Sequence, residues 1–269
     1  MLLAQISDLH MRRDDRPLSG AVQTRPFTEA AIAAVAALAP DAVVITGDLA
    51  DTGTAEEYAM LREALAPLAM PLFVIPGNHD DREGLRAAFA GRCALPPTGP
   101  LDWVADLGPL RLIGLDSLVP GMPHGEVAPE SLAWLEARLA EDPRPTIVAV
   151  HHPPFAIGIP AMDRIGCRNG DALAAVIGRH AHVERVISGH AHRPIQARWA
   201  GTLGLIAPSV AHQVALGFAD AALPHWILEP PALLLHRWSV NGGLVTHTVY
   251  VDDYGGPQPV VPDAAEQNS

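Results

Sequence analysis

Apolar runs and stretches of helical periodicity alternate through the first half of the chain: Leu2–Ser7, Pro26–Leu38, Ala42–Thr46, Glu56–Leu68 and Leu72–Ile75. Short apolar runs separated by segments of 3.6-residue periodicity predict βαβ units and a largely parallel sheet. Pro26 followed by Thr28 and Glu29 suits a helix start, and Ala30, Ile32, Val35, Ala36 and Leu38 supply its buried stripe. Further strands are expected at Trp103–Leu107, Arg111–Leu115, Thr146–Val150, Arg185–Ser188 and Ile195–Trp199, with helices at Glu130–Ala140 and Asp171–Arg179. After Pro208 the pattern loosens. Two strand runs then follow, Leu233–Trp238 and Leu244–Val251, joined by Asn241-Gly242-Gly243, which is a hairpin signal. The expected organisation is one α/β domain over residues 1–254, hairpin 233–251 included, followed by a disordered Pro-rich tail at 255–269.

Charge and composition narrow the chemistry. A net charge of −12 argues against a protein that grips long DNA or RNA over many phosphates. All 18 basic residues are Arg, so a Walker-type lysine and Schiff-base chemistry are both excluded. Cys93 and Cys167 are far apart with no CxxC spacing, which suggests neither a thiolate site nor a disulfide framework. The charged residue Asp8 comes too early for a signal peptide, and no run reaches the ~18 apolar residues of a membrane span. The expectation is a cytoplasmic protein without membrane partners.

Five short elements carry the candidate chemistry: Asp8-Leu9-His10, Gly47-Asp48-Leu49-Ala50-Asp51, Gly77-Asn78-His79-Asp80, His151-His152 and Gly189-His190-Ala191-His192. Each follows an expected strand, and loops at the carboxyl ends of parallel strands gather on one edge of a sheet. Residues two apart on a strand share a face, so Asp8 with His10 and His190 with His192 can each reach one ion. Gly189 would permit an unusual backbone or a close approach. His180-Ala181-His182 has the same spelling but ends a helical pattern, where residues two apart diverge; it reads as a helix-dipole or surface pair. Carboxylates, imidazoles and an amide oxygen without thiolate suit Zn, Mn, Fe or Co. Asp48, central to the other elements, is the natural bridge between two cations.

These five motifs, in this order, resemble the set found in calcineurin-like metallophosphoesterases. Their spacing, and the segment Ala207–Val214, further resemble the bacterial class III cyclic nucleotide phosphodiesterases and the related glycerophosphodiesterases. The resemblance implies a four-layer α/β/β/α sandwich of two mixed sheets flanked by helices, and two divalent metal ions. It places Asp8, His10, Asp48 and His192 on one ion and Asp48, Asn78, His151 and His190 on the other, with His79 beside the scissile phosphate and His212 presented to it. The implied reaction is in-line attack by a metal-bridging hydroxide on a small phosphodiester, a 3′,5′-cyclic nucleotide or a glycerophosphodiester. Phosphomonoesterase or pyrophosphatase activity is the alternative. A non-catalytic metal-binding scaffold fits less well because all seven ligand positions are present. The resemblance also points to a homo-oligomer.

Other polar residues divide between supporting and structural readings. Asp51 and Asp80 either orient ligands and loops or cap turns, and His152 is read as a support or structural residue because His151 fills the ligand position. Arg164, Cys167, Arg168 and Asn169 lie where a specificity lid is expected. His124, His225, His236 and His247 are assigned surface or core duty.

Overall fold

The computed structural model describes residues 1–257 except 14–16 and 19. Most of the expected tail, residues 258–269, therefore lies outside the described residues.

The first sheet has strand order β13-β12-β1-β2-β3, with β1 at Leu2–Ile6, β2 at Ala42–Ile45, β3 at Leu72–Val74, β12 at Ala232–Ser239 and β13 at Gly243–Tyr250. β1, β2 and β3 are parallel, and the C-terminal hairpin joins antiparallel to β1 with Leu3 opposite His236. The second sheet has order β4-β5-β6-β7-β9-β8, built from β4 Trp103–Asp106, β5 Arg111–Leu115, β6 Thr146–Val150, β7 Val183–Ser188, β8 Ile195–Trp199 and β9 Thr202–Ile206. Its central strands β5, β6, β7 and β9 are parallel and its edges antiparallel. A two-stranded ribbon pairs β10 (Gln213–Val214) with β11 (Trp226–Ile227).

Strand alternation builds four layers. Ala4, Ile6, Val43 and Ile45 face outward onto Ile32 and Val35 of helix α1 (Thr24–Leu38), Leu61 of α2 (Ala55–Ala64) and Leu85 of α3 (Arg82–Ala88). Leu3 and Val44 point the other way, into an inter-sheet core with Trp103, Leu112, Ile147 and Ile187. The second sheet's outer face, with Ile113, Val148, Val150 and Val186, is covered by Leu135 and Leu139 of α4 (Pro129–Glu141) and by Leu173 and Val176 of α6 (Gly170–Ile177). This is the α/β/β/α sandwich, and burial on both faces explains why its central strands read as continuous apolar runs. Polar bonds pin the two sheets together: Gln5 Nε2 on β1 donates to the Ser188 carbonyl at 3.0 Å, and Trp103 Nε1 donates to the Val74 carbonyl at 2.8 Å.

The expected boundaries shift by a few residues, with local causes. α1 starts at Thr24, which places Pro26 in the first turn where a missing N–H does no harm. α2 begins on a capping box between Thr54 and Glu57 and stops well before Leu68, because Arg92 donates to the carbonyls of Leu65 and Leu68 at 3.0 and 2.8 Å and holds a turn there. Helix α3 was not expected; Asp81 caps it by accepting the Gly84 N–H at 2.7 Å. A further short helix, α5, covers Pro160–Asp163. Among the described residues no helix is long and apolar enough to cross a membrane.

Candidate metal centre

The carboxyl ends of β1, β2, β3, β6, β7 and β9 lie along one edge of the sandwich, and each is followed by residues singled out in the sequence. On one side, His10 Nε2 lies 3.2 Å from His192 Nε2 and 3.6 Å from Asp48 Oδ2, while His192 Nε2 is 3.4 Å from Asp8 Oδ1. On the other side, His151 Nε2 is 3.4 Å from the same Asp48 Oδ2, and His190 Nδ1 is 3.0 Å from Asn78 Oδ1. The seven residues thus form two adjoining groups that meet at one oxygen. Asp48 does not present two free oxygens, since its Oδ1 accepts the His79 N–H at 2.9 Å.

The backbone that achieves this is not extended strand. Asp8, His10, Asp48, His190 and His192 all have positive φ, between 43° and 68°. The pleat argument therefore does not describe these pairs: Asp8 and His10 fall in one group, as it expected, but His190 and His192 fall in different groups. Alternating left-handed residues turn both polar side chains to the centre while Leu9 and Ala191 are fully buried between them. Such conformations cost of order 1–3 kcal/mol each in a non-glycine residue and persist where surroundings over-determine them. Gly189 serves a close approach: a Cβ there would collide with Ser7 Oγ and sit 2.8 Å from Asp8 Oδ2. Its neighbour His190 donates its backbone N–H to Asp8 Oδ1 at 3.0 Å, tying the two sheets at the site.

Outward-facing nitrogens and oxygens are anchored. His10 Nδ1 lies 3.3 Å from Asp51 Oδ1, His151 donates Nδ1–H to the Thr46 carbonyl at 2.7 Å, and His192 Nδ1 lies 3.1 Å from the His212 carbonyl. His79 Nδ1 faces the Asp51 carbonyl at 2.7 Å, so its Nε2 is the nitrogen left for the cavity. Asp80 accepts four bonds: the N–H groups of Leu49 and Gly77 on Oδ2, and the Ala50 N–H and Tyr58 O–H on Oδ1. It clamps the Asp48 loop to the Asn78 loop. Both Asp51 and Asp80 thus orient the site. Thr46, Tyr58 and Ser117 were not singled out in the sequence; Ser117, whose Oγ lies 2.8 Å from His152 Nδ1, follows β5 as the chosen motifs follow their strands, which was the available signal.

Electrostatics show what this donor set needs. Burial pushes Asp8 upward, while Asp48 is held well below the usual carboxylate range because His151, His79 and His10 outweigh the cost of its burial. Burial lowers His190 and His192 to about 3, and in His151 it is outweighed by Asp48, Asp8 and the Thr46 carbonyl, which push the ring up to about 9. Without a metal, the negative charge of Asp48 is thus balanced by its histidine neighbours, while the His190 and His192 rings stay neutral and keep a lone pair each. The Nε2 atom of His151, which faces Asp48, is also buried without a hydrogen-bond partner. His10 Nε2 facing His192 Nε2 at 3.2 Å is repulsive unless a cation, proton or metal, lies between them. The residues fit divalent ions, whose binding displaces such protons.

The family profile described as calcineurin-like phosphoesterase matches residues 1–194. The chain belongs to the calcineurin-like phosphoesterase family. A probable glycerophosphodiester phosphodiesterase of Arcobacter nitrofigilis is 35% identical over 99% of this chain and 99% of its own. A 3′,5′-cyclic adenosine monophosphate phosphodiesterase of Pseudomonas aeruginosa is 33% identical over 94% of this chain and 91% of its own. Among solved structures, a dimetal phosphatase from Danio rerio shares the fold, with a TM-score of 0.62 at 13% identity over 94% of this chain and 99% of that one. Family and donor set together assign this phosphoesterase divalent metal ions.

His212 lies beyond the matched residues, and its geometry places it independently: its ring is 4.6 Å from that of His192 and 5.6 Å from that of His10. Burial, with His192 and His10 adding, lowers it to about 2, so the ring is neutral. A cavity of about 280 Å³ opens over the phosphoesterase centre, with His79 and His212 at its base and Met162, Ile165, Pro224 and Trp226 among its walls. His225 is exposed, as its assignment to surface duty expects, and it also borders this cavity beside the ribbon β10–β11. In the expected lid, Asn169 spends its amide on the backbone of Val127, accepting at 3.0 Å and donating at 2.7 Å, and Arg164 pairs with Asp220 at 2.6 Å. These two residues hold loops together. His180 pairs with Glu136 of α4 at 3.0 Å, and His182 precedes β7 at the end of that strand remote from the centre.

Proposed function

We propose that the chain hydrolyses small phosphodiesters, 3′,5′-cyclic nucleotides or glycerophosphodiesters, at a centre of two divalent ions drawn from Fe, Mn, Zn and Co. Asp8, His10, Asp48 and His192 would hold one ion, and Asp48, Asn78, His151 and His190 the other. The observation that carries this reading is Asp48 Oδ2, which faces His10 Nε2 at 3.6 Å and His151 Nε2 at 3.4 Å, so that one oxygen serves both groups. The activities for which the two relatives are named supply the substrate class. When bound, such ions act as Lewis acids on phosphate oxygens and generate a nucleophile from water near neutral pH.

The chain's own residues do the rest. His79 donates Nδ1–H to the Asp51 carbonyl and its side chain is 39% exposed; protonated on both nitrogens, the ring delivers the Nε2 proton to the departing alkoxide and is left neutral. Neutral His212 beside it orients the phosphate. The apolar walls at Met162, Ile165, Pro224 and Trp226 seat an ester substituent and exclude water. A monoester carries a further charge, yet Arg12 is paired with Asp51 and Arg164 with Asp220, which favours the diester. Residues 1–254 act as one catalytic unit in the cytoplasm. The edge of β13, unpaired among the described residues, together with exposed Leu216, Phe218, Leu223 and Leu228, suits association with further copies of the chain.

The test is direct. Metal-stripped protein given Mn²⁺ should release nitrophenolate from bis(p-nitrophenyl) phosphate faster than from p-nitrophenyl phosphate. Release from neither would remove the enzymatic reading, and a preference for the monoester would remove the diester assignment.

A further inference from the structure

A line of polar groups crosses the inter-sheet core and ends at the metal centre. Leu3 and Val44 belong to that core, yet Gln5, two residues along β1 from Leu3 on the same face, sets a carboxamide among them with no exposure to solvent. Its Nε2 donates at 3.0 Å to Thr46 Oγ1, just past β2, and at 3.0 Å to the carbonyl of Ser188, which ends β7. The ligand-bearing loops depart from these two points: Thr46 is followed by Gly47-Asp48, and Ser188 by Gly189-His190. The Thr46 carbonyl in turn accepts the His151 Nδ1–H at 2.7 Å. Gln5 is thus a strut between the two sheets, bonded on both sides beneath the centre.

Such a strut works in one orientation. The Ser188 carbonyl can only accept, and it also takes the Ala207 N–H at 2.9 Å. A flipped amide would set Gln5 Oε1 against that carbonyl in a dry core. His236 on β12 opposes the flip. It is 1% exposed, its Nε2 lies 3.0 Å from Gln5 Oε1, and its Nδ1 lies 2.9 Å from Oγ1 of Thr246, its partner across the hairpin. Burial lowers the ring to about 3, so it is neutral and carries one proton. With that proton on Nε2, His236 donates to Gln5 Oε1 and the bare Nδ1 accepts the Thr246 hydroxyl. With the proton on Nδ1, two acceptors would face each other, or the amide would turn over.

We propose that His236 is a positioning residue for the metal centre: its Nε2–H locks the Gln5 carboxamide, which sets the spacing of Thr46 and Ser188 and through them the placement of His151 and His190. The C-terminal hairpin, outside the residues 1–194 that the family profile matches, thereby takes part in the site. The proposal rests on the metal-centre reading above. His151 and His190 belong to the ion shared with Asn78, whereas Asp8 and His10 reach the other ion directly from β1, so the effect falls on one ion.

Two measurements test it. In metal-stripped protein labelled with ¹⁵N-histidine at pH 7, the His236 signal, identified by its loss in His236→Gln, should show a protonated Nε2 and a bare Nδ1. A proton on Nδ1 would overturn the proposal. In equilibrium dialysis against Mn²⁺ alone, His236→Leu should weaken one of two binding steps by about 10-fold and leave the other within about twofold, the lower end of what removing a ligand's direct partner costs. His236→Gln keeps a donor for Gln5 Oε1 and should recover most of that loss. A role confined to stability would leave both steps at their wild-type values in folded His236→Leu, and that result refutes the positioning. Equal losses in the Leu and Gln variants refute it too, since they would indicate packing alone. Should the Leu variant fail to fold, unchanged Mn²⁺ affinities in Gln5→Met, which removes the strut and keeps its length, are sufficient refutation. Wild-type protein that binds no Mn²⁺ would instead overturn the metal-centre reading, and this proposal with it.

Discussion

Replacing Asp80 by Asn should destabilise the protein far more than its conservative chemistry suggests. The carboxylate is 8% exposed and accepts four bonds, two on each oxygen: Leu49 N–H and Gly77 N–H at 3.1 and 2.9 Å, Ala50 N–H and Tyr58 O–H both at 3.1 Å. An amide placed either way turns its NH₂ group against two of those donors. Two buried donors are then left unpaired, at about 1–3 kcal/mol each, for an expected loss of about 2–6 kcal/mol. Tyr58→Phe removes one of the four donors and also the oxygen that accepts the Asp81 N–H at 2.8 Å, so about 1–3 kcal/mol is expected there. Urea unfolding of metal-stripped protein at pH 7 reads both values without contribution from bound ions. The clamped loops carry Asp48 and Asn78, so Mn²⁺ affinity should fall in parallel in Asp80→Asn. Stability within about 0.5 kcal/mol of wild type, the range of an ordinary surface change, would refute the clamp.

Three further outcomes are expected. His79→Ala should slow an alkyl diester or cyclic nucleotide by at least ~10²-fold while hardly affecting bis(p-nitrophenyl) phosphate, whose leaving group needs no proton; equal losses on both would take the acid role from His79. His192→Ala should remove several orders of magnitude of turnover and His182→Ala only a few-fold, and equal losses in folded variants would contradict the placement of His182 at the remote end of β7. His236 is buried between Gln5 Oε1 and Thr246 Oγ1, and burial followed by the charge of Arg185 lowers it to about 3. Its folded form stays neutral while the unfolded chain takes up a proton below about pH 6.5, so stability is lost as pH falls through that value. Between pH 7 and 5 this group alone should remove about 2 kcal/mol, and His236→Gln, compared by urea unfolding at the two pH values, should lack that component; an equal pH response in both proteins would sink the assignment.

The layers of this fold were legible because the central strands are buried on both faces and separated by amphipathic helices, so the apolar periodicity carried the answer directly. Helix ends were less legible because they depend on distant partners: Arg92 holds the turn after α2 from 24 and 27 residues away. The ribbon that brings His225 and Trp226 over the centre was not readable at all. It is only two residues long on each side, with β10 buried and β11 exposed, and its Trp226 and Val214 border the cavity. Ser117 and Thr46 escaped notice for another reason. One acts through a hydroxyl and the other through a main-chain carbonyl, and neither role marks a residue type in sequence.

The proposed ligand residues themselves raise a subtler point. Five of the seven sit at positive φ, and Asp, Asn and His are the non-glycine residues that enter the left-handed region most readily. The residue types able to bind a metal are thus also among those able to adopt the backbone that brings them to it. Asp-x-His and His-x-His at strand ends satisfy both demands in one spelling, with the apolar Leu9 or Ala191 between them pointing into the core. The sequence alone does not separate the two demands, and an argument from an extended strand kept Asp8 with His10 but wrongly joined His190 to His192, which the left-handed turn sends to different groups. A β-branched residue placed at Asp8 or His192 would remove a proposed ligand and also clash with the turn. Its effect on metal-free stability should therefore exceed that of Asn at the same position, which loses the charge or ring but keeps access to the left-handed region.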